Sequence, residues 1–130
     1  MKDTADNGPI RVMISDDHPI VRQGLRTVLE AYEDMTIVAV AENGAQAVLL
    51  VAEIRPDILV IDLQMPVKDG VTAIQEIIQD NPDARILVLT SFPEDDNVLR
   101  AIKAGAMGFH VKDSAPEHLV EAIRAVHRGE

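Results

Sequence analysis

Five short apolar runs alternate with five segments of helical periodicity from Ile10 onward, and no other feature of this chain limits its possible folds as strongly. The runs are too short for buried helices, and the third, residues 58–61, is continuously apolar, so it predicts a strand that is buried on both faces. Parallel strands need crossover connections, and the intervening helices supply them. The sequence therefore predicts an α/β fold: a doubly wound five-stranded parallel sheet flanked by five helices, with the common strand order 2-1-3-4-5.

The boundaries of these elements follow from apolar runs, proline and glycine. The second helix carries more apolar residues than one buried face requires, so we expect it to expose some apolar surface. The third helix is expected between Gly70 and Asn81. The predicted strands are residues 10–15, 35–41, 58–62, 85–89 and 106–111, and the other predicted helices are residues 19–32, 45–54, 94–103 and 115–127.

The composition indicates one domain and excludes several functions. With 130 residues there is room for a single domain, predicted over residues 10–130 after a flexible N-terminal tail of residues 1–9. The net charge of −10 argues against direct binding of nucleic acid or of an anionic membrane. Cysteine is absent, which excludes disulfides and thiolate metal sites. No signal peptide or membrane span is recognisable, so a cytoplasmic location is expected.

Polar residues stand where four of the predicted strands end. Asp16 and Asp17 follow the first strand, Asp62 ends the third, Thr90 follows the fourth, and Lys112 follows the fifth. The carboxyl ends of parallel strands share one edge of the sheet, where ligands bind in such folds. Two carboxylates about 4 Å apart repel each other by about 4 kcal/mol, so three together require a cation. Because only oxygen ligands are offered, Mg²⁺ is the expected metal.

A metal, an amine and a hydroxyl around one carboxylate are the groups that phosphoryl transfer to that carboxylate requires. Asp62 is therefore the candidate nucleophile, with Thr90 and Lys112 beside it. A simpler alternative is that Asp16 and Asp17 only cap the first helix, where an acidic residue is favoured by about 1 kcal/mol. The alternative explains two acidic residues but leaves the other strand ends unexplained.

Four segments at these strand ends resemble the receiver domains of two-component response regulators, and most closely the NarL/FixJ (LuxR-type) subfamily. The segments are ISDDHPIVRQGL, VIDLQMPVKDG, ILVLTSF and GAMGFHVKD, and the resemblance covers about residues 10–128. It implies a flavodoxin-like receiver fold. It also implies that the chain is a signalling domain, which catalyses at most its own phosphorylation and dephosphorylation, and not an enzyme.

The resemblance also assigns roles to the acidic residues. Asp62 would accept a phosphoryl group from a sensor histidine kinase in a Mg²⁺-dependent reaction. Asp17 would bind Mg²⁺ directly, and Asp16 would act through a metal-bound water or as a further ligand. The main-chain carbonyl of Gln64 would complete the protein ligands, together with Asp62 itself.

The conformational switch is implied in the same way. Thr90 and Lys112 would contact the phosphoryl oxygens, and the aromatic residue three positions before the lysine, Phe109, would rotate inward behind Thr90. Ordinary core packing is the alternative for Phe109. Many receivers carry tyrosine there, and many carry proline where this chain has Asp113, so the isomer of the Lys112–Asp113 peptide bond is left open.

The resemblance further implies homodimerisation on phosphorylation and control of an effector, a DNA-binding helix-turn-helix domain of a longer chain. Dimerisation would use helices one and five, or the fourth helix, fifth strand and fifth helix. Two other functions fit the fold. A Mg²⁺-dependent phosphohydrolase resembling haloacid dehalogenases needs an acid two residues after the nucleophile, where this chain has Gln64. A flavodoxin-like binding module needs a hydroxyl-rich phosphate loop, where this chain has Asp16 and Asp17.

Overall fold

Strands and helices alternate along residues 8–112 and 115–129, which are the part of the chain that the computed structural model describes. The strands are β1 (Ile10–Ser15), β2 (Met35–Ala41), β3 (Ile58–Asp62), β4 (Ile86–Thr90) and β5 (Gly108–Val111). The helices are α1 (Pro19–Glu30), α2 (Gly44–Ile54), α3 (Gly70–Asp80), α4 (Asp96–Ala104) and α5 (Pro116–His127). The strands are parallel in the order β2-β1-β3-β4-β5, which confirms the predicted fold class and strand order.

The sheet is covered on both faces because successive strand residues point to opposite sides. On one face Met13, Leu59 and Val88 pack against α2, α3 and α4. On the other face Val12 and Val60 pack, with their neighbours, against α1 and α5. The central strands β3 and β4 are therefore apolar up to their last residue, and this produces the apolar runs seen in the sequence.

Several predicted boundaries were wrong by one or two residues: α1 ends at Glu30 rather than 32, α2 begins at Gly44 rather than 45, and α5 begins at Pro116 rather than 115. Helix α4 begins at Asp96 rather than residue 94 because the side chain of Asp95 accepts a hydrogen bond from the N–H of Asn97 and caps the helix. Strand β5 begins at Gly108 rather than residue 106, since the N–H of Ala106 donates to the carbonyl of Ala101 and completes the end of α4. Strand β4 runs from 86 to 90 rather than from 85 to 89.

Two helices leave apolar surface partly uncovered. On α1 only Leu29 is buried, while Val21, Leu25 and Val28 are half-buried and line a groove of about 270 Å³ between α1 and α5. On α2 the side chain of Leu49 is 67 % exposed, which confirms the expectation that this helix exposes apolar surface. None of the helices within the described ranges has the length and apolar character needed to span a bilayer.

The predicted N-terminal tail falls mostly beyond these ranges. Residues 1–7 lie outside the described residues, and Gly8 and Pro9 are exposed and irregular. Asp113, and with it the question of the Lys112–Asp113 peptide isomer, also lies outside them.

Candidate functional site

The carboxyl edge of the sheet brings the predicted acidic residues together. Asp62 is the last residue of β3 and is only 4 % exposed. Asp16 follows β1, is completely buried, and donates its backbone N–H to the carbonyl of Ala41 on β2. Asp17 is partly exposed beside it. The rigid central strands therefore deliver these carboxylates to one crevice, as the sequence predicted.

Lys112 reaches the same carboxylates from the end of β5. Its Nζ lies 3.0 Å from Oδ2 of Asp62 and 3.1 Å from Oδ2 of Asp16. Its backbone N–H donates to the carbonyl of Thr90 at 2.9 Å, so the lysine is fixed to the end of β4. One ammonium therefore offsets part of the negative charge of two buried carboxylates.

Thr90 and Gln64 border the opening of the site. Thr90 is nearly buried at the end of β4, and its hydroxyl accepts a hydrogen bond from the N–H of Phe92. Gln64 donates its backbone N–H to Oδ1 of Asp62 at 3.1 Å. Together with Asp62 and Lys112, these residues line a cavity of about 240 Å³. The cavity is large enough for a small ligand beside the carboxylate.

His18, an exposed residue at the start of α1, is a further member of the cluster. It is the N-cap residue of α1, but its side chain caps no backbone N–H. Its Nδ1 lies 2.9 Å from Oδ1 of Asp16, 3.1 Å from Oδ1 of Asp17 and 4.0 Å from Oδ2 of Asp62. The only sequence signal for this contact is the adjacency of His18 to the two acidic residues.

Burial and the neighbouring charges have opposing effects on the pKa values of Asp62 and Lys112. Burial raises the pKa of Asp62, although the Gln64 N–H and the Lys112 ammonium both favour its charged form. Burial alone would lower the pKa of Lys112, but its interactions with Asp62 and Asp16 outweigh burial and raise it. The hydrogen bond with Asp16, and the negative charges of Asp16 and Asp17, raise the pKa of His18. Asp62 is therefore a carboxylate that folding makes harder to ionise.

Side-chain atoms of this acidic cluster could hold a metal ion. Asp16, Asp17, His18 and Asp62 each offer one ligand atom, and these atoms all lie within 4.8 Å of one another. Oδ2 of Asp16 and Oδ1 of Asp17 are buried and accept no hydrogen bond, although Lys112 lies near the first and His18 near the second. Since a buried carboxylate oxygen without a donor is costly, the donor set fits a cation.

The loop after Asp62 is held by close backbone contacts. A Cβ atom at Gly70 would lie 2.6 Å from Cα of Leu63 and 2.7 Å from the carbonyl oxygen of Asp62. A Cβ atom at Gly44 would lie 1.9 Å from the carbonyl oxygen of Lys68. The ammonium of Lys68 also contacts both carboxylate oxygens of Glu76 on α3, at 2.5 and 2.6 Å. The loop is therefore fixed to both α2 and α3.

At the tip of this loop, Val67 adopts a backbone conformation that is unusual for a β-branched residue. Its φ is +69°, and the N–H of Lys68 donates to the carbonyl of Pro66 across it at 2.7 Å. Such a conformation costs about 1–3 kcal/mol and persists only where the surroundings impose it. The contacts of Lys68 and Gly70 are the ones that impose it here.

Phe109 lies on β5, at the edge of the sheet, and its side chain is 46 % exposed. The alternative that it belongs to the ordinary core was therefore wrong. Other large apolar residues on α4 and just before β5 are exposed as well: Leu99, Ile102 and Met107.

Comparison with known proteins agrees with this fold. A family model described as "Response regulator receiver domain" matches residues 12–124. The transcriptional regulatory protein LiaR of Bacillus subtilis is 41 % identical over 121 residues, which are 93 % of this chain and 57 % of LiaR. The chain thus spans about half the length of the curated relatives it matches, among them the oxygen regulatory protein NreC of Staphylococcus epidermidis, of which it covers 56 %.

Solved structures show the same relationship at the level of the domain. The signal receiver domain of the putative response regulator NarL from Mycobacterium tuberculosis superposes with a TM-score of 0.90 at 30 % identity, covering 95 % of this chain and 99 % of that domain. A LuxR-family two-component response regulator from Aurantimonas gives a TM-score of 0.89 at 40 % identity, covering 94 % and 87 %. The chain belongs to the family of response regulator receiver domains of two-component systems, with relatives of the NarL and LuxR type.

Proposed function

We propose that Asp62 is the phosphoacceptor of this receiver domain and takes its phosphoryl group from a sensor histidine kinase. The observation that carries the proposal is the position of its carboxylate: at the end of a buried strand, 3.0 Å from the Lys112 ammonium and beside a cavity of about 240 Å³. An Asp62 carboxylate oxygen would attack phosphorus, the bond from phosphorus to the donor's imidazole nitrogen would break, and the imidazole would keep that electron pair.

We further propose that the acid cluster binds Mg²⁺. Asp17, Asp62 and the main-chain carbonyl of Gln64 would hold it, with Asp16 acting as a further ligand or through a water molecule. Bound Mg²⁺ would offset negative charge as the phosphoryl group is transferred. The buried oxygens of Asp16 and Asp17 that accept no hydrogen bond support this assignment.

Lys112 and Thr90 would then contact the phosphoryl oxygens. Lys112 already lies at the Asp62 carboxylate, and Thr90 lines the same cavity. A phosphoryl group adds a charge of about −1.5 to −2, which the ammonium and the hydroxyl would engage. Because Lys112 and Thr90 belong to the ends of β5 and β4, this engagement would favour a second conformation around Phe109.

The downstream partners follow from the relatives. LiaR is a transcriptional regulatory protein, so we propose that this domain controls a DNA-binding helix-turn-helix effector and forms a homodimer when phosphorylated. Its own net charge of −10 disfavours direct contact with DNA. Two surfaces could carry the dimer: the groove between α1 and α5, and the side that bears Phe109 and Leu99.

The phosphohydrolase alternative has less support. It requires a general acid two residues beyond the nucleophile, and Gln64 occupies that position with an exposed side chain that cannot supply a proton. A flavodoxin-like module would place a phosphate where Asp16 and Asp17 lie, and their charges would repel it.

The test is incubation with Mg²⁺ and acetyl phosphate, followed by intact-mass measurement of the wild type, Asp62→Asn and the control Asp80→Asn, which alters an exposed residue at the end of α3. We expect the wild type and Asp80→Asn to gain one phosphoryl group and Asp62→Asn to gain none. An unmodified wild type, or equal modification of Asp62→Asn, would show that Asp62 is not the acceptor.

A further inference from the structure

Helices α2, α3 and α4 lie side by side on one face of the sheet, with α3 in the middle. On the side of α2, Leu49 is 67 % exposed and lines a groove of about 510 Å³ between α2 and α3. Acidic residues border this groove: Glu76 and Asp80 line it, and Glu53 is exposed near the end of α2. Lys68 pairs with Glu76, but neither helix contains a lysine or arginine of its own. This part of the face, the acidic side, therefore combines exposed apolar surface with negative charge.

The part of the same face that α4 forms, the basic side, has the opposite charge. Arg100 and Lys103 are exposed one turn apart and line a second groove, of about 470 Å³, between α3 and α4. Leu99 beside them is 56 % exposed, and Asp96, the acidic residue of this helix, lies two turns before Lys103. Neither Arg100 nor Lys103 forms an ion pair within the described part of the chain, although the net charge is −10. Folding therefore leaves these two cations without a partner among the described residues.

The middle of the face is uncharged. Gln75 and Gln79 are the exposed residues along the middle of α3, between the acidic side and the basic side. In a contact between two identical copies, a residue near the two-fold axis meets its own counterpart, so a charged residue there would repel itself. An axis along α3 avoids this repulsion and places the acidic side of each copy over the basic side of the other. The face is therefore self-complementary in charge about that axis.

We propose that the domain associates with a second copy of itself through the outer face of α2, α3 and α4, about a two-fold axis along α3. The contact covers Leu49 of one copy and Leu99 of the other, and the opposite charges around them set the orientation. Because the same surface is used by both copies, the assembly closes as a dimer. The inference goes beyond the proposed function, since it uses α2 and α3 and needs no phosphoryl group on Asp62.

The direct measurement is sedimentation equilibrium of the unphosphorylated domain at concentrations up to about 1 mM, where weak contacts are populated. At about 0.15 M salt, charges more than about 8 Å apart are largely screened, so the net charge of each copy opposes association little while contacting charges still attract. We expect a reversible monomer–dimer equilibrium in the wild type and in Asp62→Asn alike. A wild type that stays monomeric, or that forms larger assemblies, would overturn the proposal.

Charge reversal tests the pairing of the two sides. The double variant Arg100→Glu/Lys103→Glu makes both sides negative, and Glu53→Lys/Asp80→Lys makes the acidic side largely positive. Each double variant alone should therefore dimerise at least about 10-fold more weakly than the wild type. An equimolar mixture of the two again brings opposite charges together at both contacts, and dimerisation should recover to within about 3-fold of the wild type. Misfolding of either variant does not produce such recovery, so its absence would contradict the two-fold pairing.

A matched control uses a cation outside this face. Arg26 is exposed on α1, and Arg26→Glu changes the net charge as much as Lys103→Glu does. We expect Arg26→Glu to change the dimerisation constant by less than about 2-fold and Lys103→Glu to weaken it by at least about 3-fold. The reverse order would move the contact to α1 and overturn the proposal. Intact-mass measurement of phosphorylation on the same samples keeps the tests apart, since a loss of association leaves the acceptor role of Asp62 untouched.

Discussion

The ammonium of Lys112 lies 3.0 Å from Oδ2 of Asp62, although the two residues are 50 positions apart in the chain. The pair joins the ends of β5 and β3 across the intervening β4. Lys112 also contacts Asp16, so its removal would leave two buried carboxylates without their cation. This single side chain therefore links the electrostatics of the site to the stability of the sheet edge.

Replacing Lys112 with methionine should destabilise the metal-free domain. Removing one partner of a buried ion pair costs about 3–5 kcal/mol, so we expect Lys112→Met to lower the free energy of unfolding at pH 7 by about 3 kcal/mol. Urea unfolding followed by circular dichroism measures the change. Lys103→Met, on an exposed side chain of α4, should change stability by less than about 0.5 kcal/mol. An equal loss in both variants would contradict the role of the buried pair.

The pH dependence of the free energy of unfolding should reflect the titration of Asp62. Because burial raises its pKa, the folded state favours the protonated carboxyl group. The stabilisation that the protonated carboxyl group gives to the folded state is fully present below the pKa of Asp62 in the unfolded chain. It is lost as the pH rises through the higher pKa that Asp62 has in the folded state. In metal-free buffer we therefore expect Asp62→Asn to be more stable than the wild type at pH 7, and the difference to shrink as pH falls towards 4. A difference that is constant between pH 4 and pH 7 would be inconsistent with a raised pKa.

Replacing glycine with alanine should destabilise the domain where the backbone is crowded and stabilise it where the position is open. A Cβ atom at Gly70 would lie 2.6 Å from Cα of Leu63, the residue that follows β3. Overpacking of this kind costs about 1–3 kcal/mol, so Gly70→Ala should lower the free energy of unfolding by that amount. Gly24, within α1, has no atom within 4 Å of its Cβ position, and Gly24→Ala should stabilise the domain by about 0.5–1 kcal/mol.

Thermal unfolding of the two glycine variants gives the comparison directly. Opposite signs are expected, because Gly24→Ala adds helix propensity without a clash and Gly70→Ala meets backbone. Two stabilised variants would mean that the loop after Asp62 accommodates a side chain, and that it is less tightly held than its contacts indicate.

Phe109 should affect assembly more than folding. Its side chain is 46 % exposed, so Phe109→Ala should change stability by no more than about 0.5 kcal/mol and should leave phosphorylation intact. We expect weaker phosphorylation-induced dimerisation in sedimentation velocity, with the exposed Leu49→Ala on α2 as the control. A loss of dimerisation in Val28→Ala, with Phe109→Ala unchanged, would assign the dimer to the groove between α1 and α5.

The sheet and most of the site could be predicted from the sequence, because both depend on patterns that are local in the chain. A strand such as β3, which is apolar from residue 58 to residue 61, has this pattern only when both of its faces are covered, and that requirement implies parallel strands and crossover helices. Asp16, Asp62 and Lys112 each directly follow or end such a strand, so the topology alone brings them to one edge.

Other features depend on contacts between distant segments. The exposure of Phe109 arises because β5 is an edge strand, and no residue near Phe109 in the sequence indicates which neighbours are missing. The ring of His18 reaches the carboxylates through a rotamer and a backbone hydrogen bond rather than through a periodic pattern. The start of α4 was placed early, at residue 94, because the acidic residues 94–96 all suit a first helical turn by their charge, and only the geometry selects Asp95 as the N-cap.

The contacts around Gly44, Gly70 and Lys68 have a mechanical consequence for the site. A phosphoryl group on Asp62 needs space, and the wall formed by residues 64–69 cannot recede because its backbone already touches the N-terminus of α2 and the end of β3. Thr90, on the opposite wall, has its hydroxyl bonded only to the N–H of Phe92 among the described residues, at the start of an exposed loop. If Asp62 is phosphorylated as proposed, Thr90 and the loop after it would therefore move more easily than residues 64–69, and the conformational change would be directed towards α4.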